Sequence, residues 1–264
     1  MKSGSRKCVR MLVAVVLLSA VHATAGHAHD MWINMQSYMV DKSKPAVLTV
    51  SSAHSFVVPG AEFMARDRID KVGFWGPDGK ELPAAPQGDT QYQSRAPLEL
   101  QGSYVTVVTP HNGFSSKTTA GYQQGKSKKD LTDVIECRYS EKYSKALFTV
   151  GAPGGETFSR VLGHKMEIVP LKDPATLKEG DDLPVKVLLE GKPAATYIYG
   201  TYAGFSNESN TFAYTTHTDK EGIAKVGMIK AGIWLLLVKQ EQPYPDAAVC
   251  DKLTHAASLT FQVR

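Results

Sequence analysis

His29 is placed to do metal chemistry if the chain is cut just before it. Lys2, Arg6, Lys7 and Arg10 precede an apolar run over residues 11–21 that holds a single Ser19, and small residues come after it. That order is a secretory signal peptide, with an apolar run too short to serve as a membrane anchor. Cleavage after Ala28 makes His29 the first residue of the mature chain. Its α-amine and imidazole Nδ1 can then chelate one ion together, and such nitrogen donors suit nickel, cobalt, copper or zinc. Ala23-Thr24-Ala25 is a closer A-x-A match than Gly26-His27-Ala28. Cleavage after Ala25 instead leaves a Gly-His-Ala-His start, which binds metal more loosely and in a different geometry.

Other residues can join such a site. His54 comes after an apolar strand over residues 46–52 and precedes a Pro-Gly turn. It meets the N-terminus if the first strand pairs nearby; otherwise it is an ordinary half-buried loop residue. His111, in Pro110-His111-Asn112-Gly113, sits in a turn and is the third candidate ligand. Glu62 is an oxygen ligand or a surface charge. Asp30 either accepts a hydrogen bond from a ligating ring or is a strand-end charge. His164, His217 and His255 belong to the second half; His217 reads as a strand-end polar residue, and His255 with Asp251 as a weaker second site. Met31, Ile33, Met35 and Met39 share a face if the first segment is a strand. Their thioethers suit Cu(I), though an adaptable core stripe is the simpler reading. Trp32, Trp75 and Trp234 read as core residues.

Several chemistries lack their signatures. No His-x-x-x-His pair or Cys-x-x-Cys exists, so a closed structural zinc site is unsupported. There is no G-x-S-x-G elbow, Walker loop or Rossmann fingerprint, and the Gly-rich residues 151–155 lack the Lys-Ser/Thr of a phosphate loop. The reading is a binding protein, not an enzyme.

The elements that must position these residues read as mostly β. Leu183, Val185, Val187 and Leu189 alternate with Pro184, Lys186, Leu188 and Glu190, as do Leu259, Phe261 and Val263 with more polar neighbours. Period-2 alternation puts one set of side chains on a core face. Residues 46–50, 104–108 and 146–150 are further short apolar runs, and residues 233–238 fit a buried strand. Turn signals at residues 76–79, 190–193 and 219–222 punctuate them, a pattern that suggests sandwiches. Leu131, Val134, Ile135, Arg138, Tyr139 and Tyr143 keep spacings of three and four, which predicts a short helix or turns. Residues 113–129, rich in Ser, Thr, Gly and Lys, read as a long loop.

Turn-rich residues 151–165 suggest a boundary. The expected organisation is a signal peptide over 1–28, an N-terminal β domain over 29–160 carrying the site, and a C-terminal Ig-like sandwich over 161–264. Lys and Arg number 30 against 26 Asp and Glu, and four of the basic residues lie in the leader. The rest of the chain is therefore neutral, which argues against a nucleic-acid partner. No second long apolar segment exists, so no membrane span is expected in the mature chain, and the expected location is the periplasm. Cys8 lies in the leader. Cys137 and Cys250 remain, an even pair suited to a disulfide in an oxidising compartment; two thiolate metal ligands are the alternative.

These residues resemble a known family. His29-Asp30-Met31-Trp32-Ile33 looks like the mature start of the exported proteins of domain-of-unknown-function family 4198. Ala53-His54-Ser55-Phe56 with Pro59-Gly60-Ala61-Glu62, and Gly121-Tyr122 with Gly125-Lys126, are similar too. So are Gly163-His164-Lys165-Met166-Glu167-Ile168-Val169-Pro170, Leu183-Pro184-Val185-Lys186-Val187 with Glu190-Gly191-Lys192-Pro193, Thr218-Asp219 with Gly222, Ala231-Gly232-Ile233-Trp234 and Cys250-Asp251. His164 stands where the family more often has an apolar residue, and Ala53 where glycine is commoner.

The resemblance implies two β-sandwich domains, the second Ig-like, and a periplasmic component of nickel or cobalt uptake. The leading expectation is a protein that captures Ni(II) or Co(II) through His29, His54 and His111 for an inner-membrane uptake transporter. A copper protein with an N-terminal His, chaperone or oxygenase, is the second expectation, since such proteins are also β-sandwiches. An Ig-like module without metal is the third.

Overall fold

The computed structural model describes residues 29–58, 60 and 62–264. The expected signal peptide over 1–28, with both cleavage points, lies outside the described residues. The described chain is mostly β. In order, its strands are β1 (Asp30–Met35), β2 (Met39–Val40), β3 (Val47–Ala53), β4 (Ile69–Trp75), β5 (Glu81–Gln87) and β6 (Gln91–Ser94). Next come β7 (Gly102–Pro110), β8 (Gly113–Thr118), β9 (Gly121–Gln124), β10 (Val134–Val150), β11 (Met166–Pro170) and β12 (Asp182–Leu189). The last are β13 (Lys192–Pro193), β14 (Tyr197–Tyr202), β15 (Tyr214–His217), β16 (Ile223–Gly227), β17 (Gly232–Pro243) and β18 (Lys252–Val263). Among the described residues no helix is long and apolar enough to cross a membrane.

Hydrogen bonds link one 14-stranded sheet in the order β1-β3-β6-β5-β4-β7-β10-β18-β17-β14-β15, while β11, β12, β13 and β16 form a second sheet. The large sheet passes from the first half of the chain to the second where β10 and β18 pair in parallel, Arg138 against Lys252 through Ala146 against Thr260. Its central strands are buried on both faces. Val105, Val107, Leu147 and Trp75 face a core shared with Ile168, Leu183, Val185, Val187 and Val226 of the smaller sheet. Their sequence neighbours Tyr104, Val108, Phe148 and Phe74 face a second core with Met31, Ile33, Leu48 and Val50. Alternate residues of one strand thus serve two cores, which is why these segments read as near-continuous apolar runs. The result is three β layers stacked over two cores, with the middle layer common to both.

Two expectations about local structure fail. Residues 131–143 do not form a helix; residues from Val134 onward belong to the 17-residue strand β10. A spacing of four is even, so Tyr139 and Tyr143 share a strand face as readily as a helix face. The long loop expected over 113–129 is largely the β8–β9 hairpin, with Lys117 opposite Tyr122, and β8 also pairs with β10. Its Ser and Thr side chains close the hairpin: Thr118 Oγ1 donates to the Gly121 carbonyl and Ser116 Oγ to that of Lys126.

Cys137 at the start of β10 and Cys250 just before β18 form a disulfide. They are not thiolate ligands. The Asp251 carboxylate also accepts a hydrogen bond from the Cys137 backbone N–H at 2.8 Å. The cross-link closes a loop of 113 residues. The Cys137→Ala/Cys250→Ala double variant is expected to lose about 2–5 kcal/mol of stability, because the unfolded chain regains that loop's freedom. Denaturant unfolding of the oxidised and variant proteins measures it; equal midpoints would contradict this.

Candidate functional site

The first strand carries the site. β1 pairs antiparallel with β3, Asp30 opposite Ala53 through Met35 opposite Leu48. One step further in that register places His29 against His54. The two imidazole rings lie 4.4 Å apart between centroids, tilted by 59°. His29 is exposed and His54 half-buried.

Small polar residues hold β1 on the central sheet. Ser144 Oγ donates to the Met31 carbonyl at 3.1 Å, and Thr260 Oγ1 to the Ile33 carbonyl at 2.8 Å. Ser258 Oγ donates to Ser144 Oγ in turn. Larger side chains at these positions would prevent the two backbones from approaching this closely. Met31, Ile33 and Met35 point into the core, as an adaptable core stripe does. Met39 does not join them: it is 40% exposed on β2, because a turn around Ser37, whose Oγ accepts from the Met39 N–H, ends the first strand.

The segment after His54 anchors it. Phe56 packs edge-on against Trp32 with centroids 5.6 Å apart, in a small cluster with Ala53 and Leu235. Trp32 Nε1 donates to Asn34 Oδ1, and Asn34 Nδ2 donates to Ser51 Oγ. Gly60 lies directly over this chain; a Cβ there would meet Ser51 Oγ at 2.1 Å, so a larger residue would have to displace the hydroxyl that accepts from Asn34.

Beneath the pair lies a set of charges that sequence reasoning missed. Lys142 of β10 and Lys239 of β17 both align with Ala256 of β18 between them. Lys142 Nζ donates to the His29 carbonyl at 2.6 Å. Lys239 pairs with Asp30. Asp30 is therefore neither a surface charge nor an acceptor for a ring: it is 7% exposed and committed to a lysine. Burial pushes the Lys142 ammonium down to about 8, with the Asp30 carboxylate opposing and the Lys239, Arg68 and Arg138 cations adding to the fall. Alternation along β10 would have put Lys142 on this face, but only once the segment is read as a strand.

The remaining candidates lie elsewhere. His111 is exposed, its Nδ1 3.8 Å from an Asp70 carboxylate oxygen. Its neighbour Asn112 accepts a hydrogen bond from the Lys142 backbone N–H, so the turn reaches the same end of the molecule without bringing the His111 ring into the pair. The Glu62 side chain is exposed, while its carbonyl accepts from the Ser52 N–H. Among the described residues no group of three or more His, Cys, Asp or Glu converges as a ligand set. His217 ends β15, its Nδ1 2.6 Å from the Thr218 carbonyl. His255 does not pair with Asp251: it is 1% exposed, with Nδ1 2.8 Å from Glu141 Oε2.

His164 stacks on Tyr143 at 4.8 Å and 18°. Burial pushes its imidazole down to about 4; Lys145 and Lys71 add to the fall and Glu167 opposes it. The folded protein therefore keeps His164 neutral where the unfolded chain, near 6.5, takes up a proton. Stability contributed by this residue is complete above 6.5 and is lost as pH falls toward 4. His164→Phe keeps the stack and removes the titration. Its unfolding midpoint is expected to fall less steeply between pH 6.5 and 4 than that of the unaltered protein; parallel curves would contradict this.

Two imidazoles this close suit one ion, since metal–nitrogen bonds of about 2.0–2.1 Å let both rings reach it. A free amine on His29 would make a third nitrogen donor. Such a set fits a borderline divalent metal and leaves room for exchangeable ligands.

Comparison with solved structures gives weak likenesses. Murine CEACAM1b is 11% identical, with 89% of this chain and 99% of that chain covered and a TM-score of 0.22. The D0-D1 domain of Intimin is 13% identical, with 89% and 99% covered and a TM-score of 0.23. The Escherichia coli adhesin FdeC is 11% identical, with 90% and 65% covered and a TM-score of 0.24. Superpositions this poor bear on neither architecture nor function. No curated protein matches the chain. Residues 26–242, which include the paired histidines, match the family described as Domain of unknown function (DUF4198), and the chain belongs to it.

Proposed function

We propose that this protein binds a transition-metal ion between His29 and His54, and that it captures Ni(II) or Co(II) in the periplasm for an inner-membrane uptake system. The observation that carries the reading is the 4.4 Å approach of the two rings, from positions 25 residues apart in sequence. Signal cleavage after Ala28 adds the α-amine, so that His29 chelates through two nitrogens and His54 supplies another. An exposed His29 suits a carrier, which must release its ion. The α-amine ordinarily titrates near ~8 and ligates only after losing its proton, so affinity falls as pH drops. Nickel or cobalt rests on the family resemblance; nitrogen donors alone favour copper by the Irving–Williams order.

Native mass spectrometry of protein processed in its own periplasm tests this, before and after exposure to competing nickel, cobalt, copper and zinc. A chain beginning at His29 and retaining one nickel or cobalt ion is the expected result. Copper alone would make it a copper protein. A different start with no ion retained would overturn the proposal.

A further inference from the structure

The charge around the paired histidines has the wrong sign for a free cation. Lys142, Lys239, Arg68 and Arg138 all act on this end of β10. Some of that charge is matched. Arg138 and Lys252 share Glu136 and Glu241 in a closed quartet of ion pairs, and Lys239 takes Asp30. Lys142 is left. Its ammonium donates to the His29 carbonyl, and among the described residues no carboxylate forms a salt bridge with it; Asp30, which acts on it, belongs to Lys239. Residues 1–28, 59 and 61 contain no Asp or Glu at all, so the rest of the chain cannot supply a counter-ion. A half-buried ammonium without one is costly. Adding a divalent ion next to it makes the imbalance worse, because only the bonds of one residue separate the His29 carbonyl from its α-nitrogen.

An anion arriving with the metal removes both problems. We propose that the ion reaches His29 and His54 as an anionic carboxylate chelate, and that Lys142 receives one of its carboxylates. This rests on the metal reading of the paired histidines and names the form of the substrate. The three nitrogens take one side of the ion and the chelate's oxygens keep the other. The lysine Nζ has donors beyond the one used on His29, and a charge-assisted contact to a carboxylate is among the stronger hydrogen bonds. The unmatched Lys142 would also draw an anionic complex in and repel a hydrated cation.

The experiment compares Ni(II) offered as its citrate complex, as its ethylenediamine complex and as the hydrated ion. Calorimetric titration and native mass spectrometry read the processed protein, Lys142→Met and Lys142→Arg. The unaltered protein is expected to retain nickel and citrate together as one ternary mass. Lys142→Met is expected to bind hydrated Ni(II) at least as well, yet to hold the citrate complex about ten- to a hundredfold more weakly, the range of a charge-assisted hydrogen bond. Lys142→Arg restores most of it. Nickel retained without citrate when the citrate complex is offered to the unaltered protein, a result that needs no variant, would overturn this inference alone. Equal citrate-complex affinity in Lys142→Met would do the same. No nickel in any arm would overturn the metal reading itself.

Discussion

Replacing His54 with alanine is expected to weaken Ni(II) binding by roughly a hundred- to several-hundredfold. A zinc site of four ligands is worth about 10–16 kcal/mol, or about 2.5–4 kcal/mol per ligand, and each 1.4 kcal/mol is about tenfold. The variant keeps the amine and ring of His29, so weak binding survives. His29→Ala is the harsher change, because the chelate formed within that residue is lost along with the ring. His111→Ala is expected to change nothing, since that imidazole lies beside Asp70 and outside the ring pair. None of the three should alter the stability of the metal-free protein much: His29 and His111 are exposed and His54 is only half-buried. Thermal unfolding with and without nickel separates these cases. An ion at a hundred times its dissociation constant stabilises by about 2.7 kcal/mol, so the unaltered protein and His111→Ala gain a higher midpoint while the other two do not. An undiminished nickel shift in His54→Ala would remove His54 from the site.

The second large effect concerns the fold. Lys145 on β10 and Glu167 on β11 form an ion pair with side chains 5% and 1% exposed. Glu167 also accepts hydrogen bonds from the backbone of Leu162 and Gly163, at 2.7 and 3.2 Å. Lys145 Nζ donates to the Arg160 carbonyl. The pair therefore pins the segment that carries the chain from the large sheet into the smaller one. Burial pulls the Lys145 ammonium down, and the Glu167 carboxylate opposes that. Glu167→Ala leaves the lysine charged and alone in the interior, at an expected cost of about 3–5 kcal/mol. For a chain of this size that lowers the melting temperature by on the order of 10 °C. The double variant Lys145→Met/Glu167→Leu removes both charges and keeps the volume, and should recover most of the loss. A double-mutant cycle by denaturant unfolding reads the coupling. A Glu167→Ala protein within about 1 kcal/mol of the unaltered one would show that the pair does not hold the layers together.

Much of this molecule is legible in the order of its residues. The alternation of Leu183, Val185 and Val187 marks a core face, and all three are fully buried in β12. Leu259, Phe261 and Val263 do the same for β18. Trp32, Trp75 and Trp234 are interior, and the two remaining cysteines are joined. These features depend on the side chain's own chemistry and on neighbours two residues away, which a sequence displays directly. The stretch over 131–143 does not yield in the same way. Spacings of four fit both periods, and what selects the strand is its partners: β8, β18 and the Cys250 sulfur more than a hundred residues on.

The site divides along the same line. Sequence pointed to the types of the proposed ligands, because an N-terminal imidazole, if the leader is cut after Ala28, offers paired nitrogens, and it ranked His54 ahead of His111. It could not supply their meeting. That depends on the β1–β3 register and on Ser144 and Thr260 holding β1 against the middle sheet. Nor could it show that Asp30 is taken by Lys239 while Lys142 reaches the His29 carbonyl. Registers and charge pairings between distant strands are fixed by the sum of many weak long-range contacts. No local pattern encodes that sum, so the tertiary structure alone decided which histidines face one another and which charge was left over.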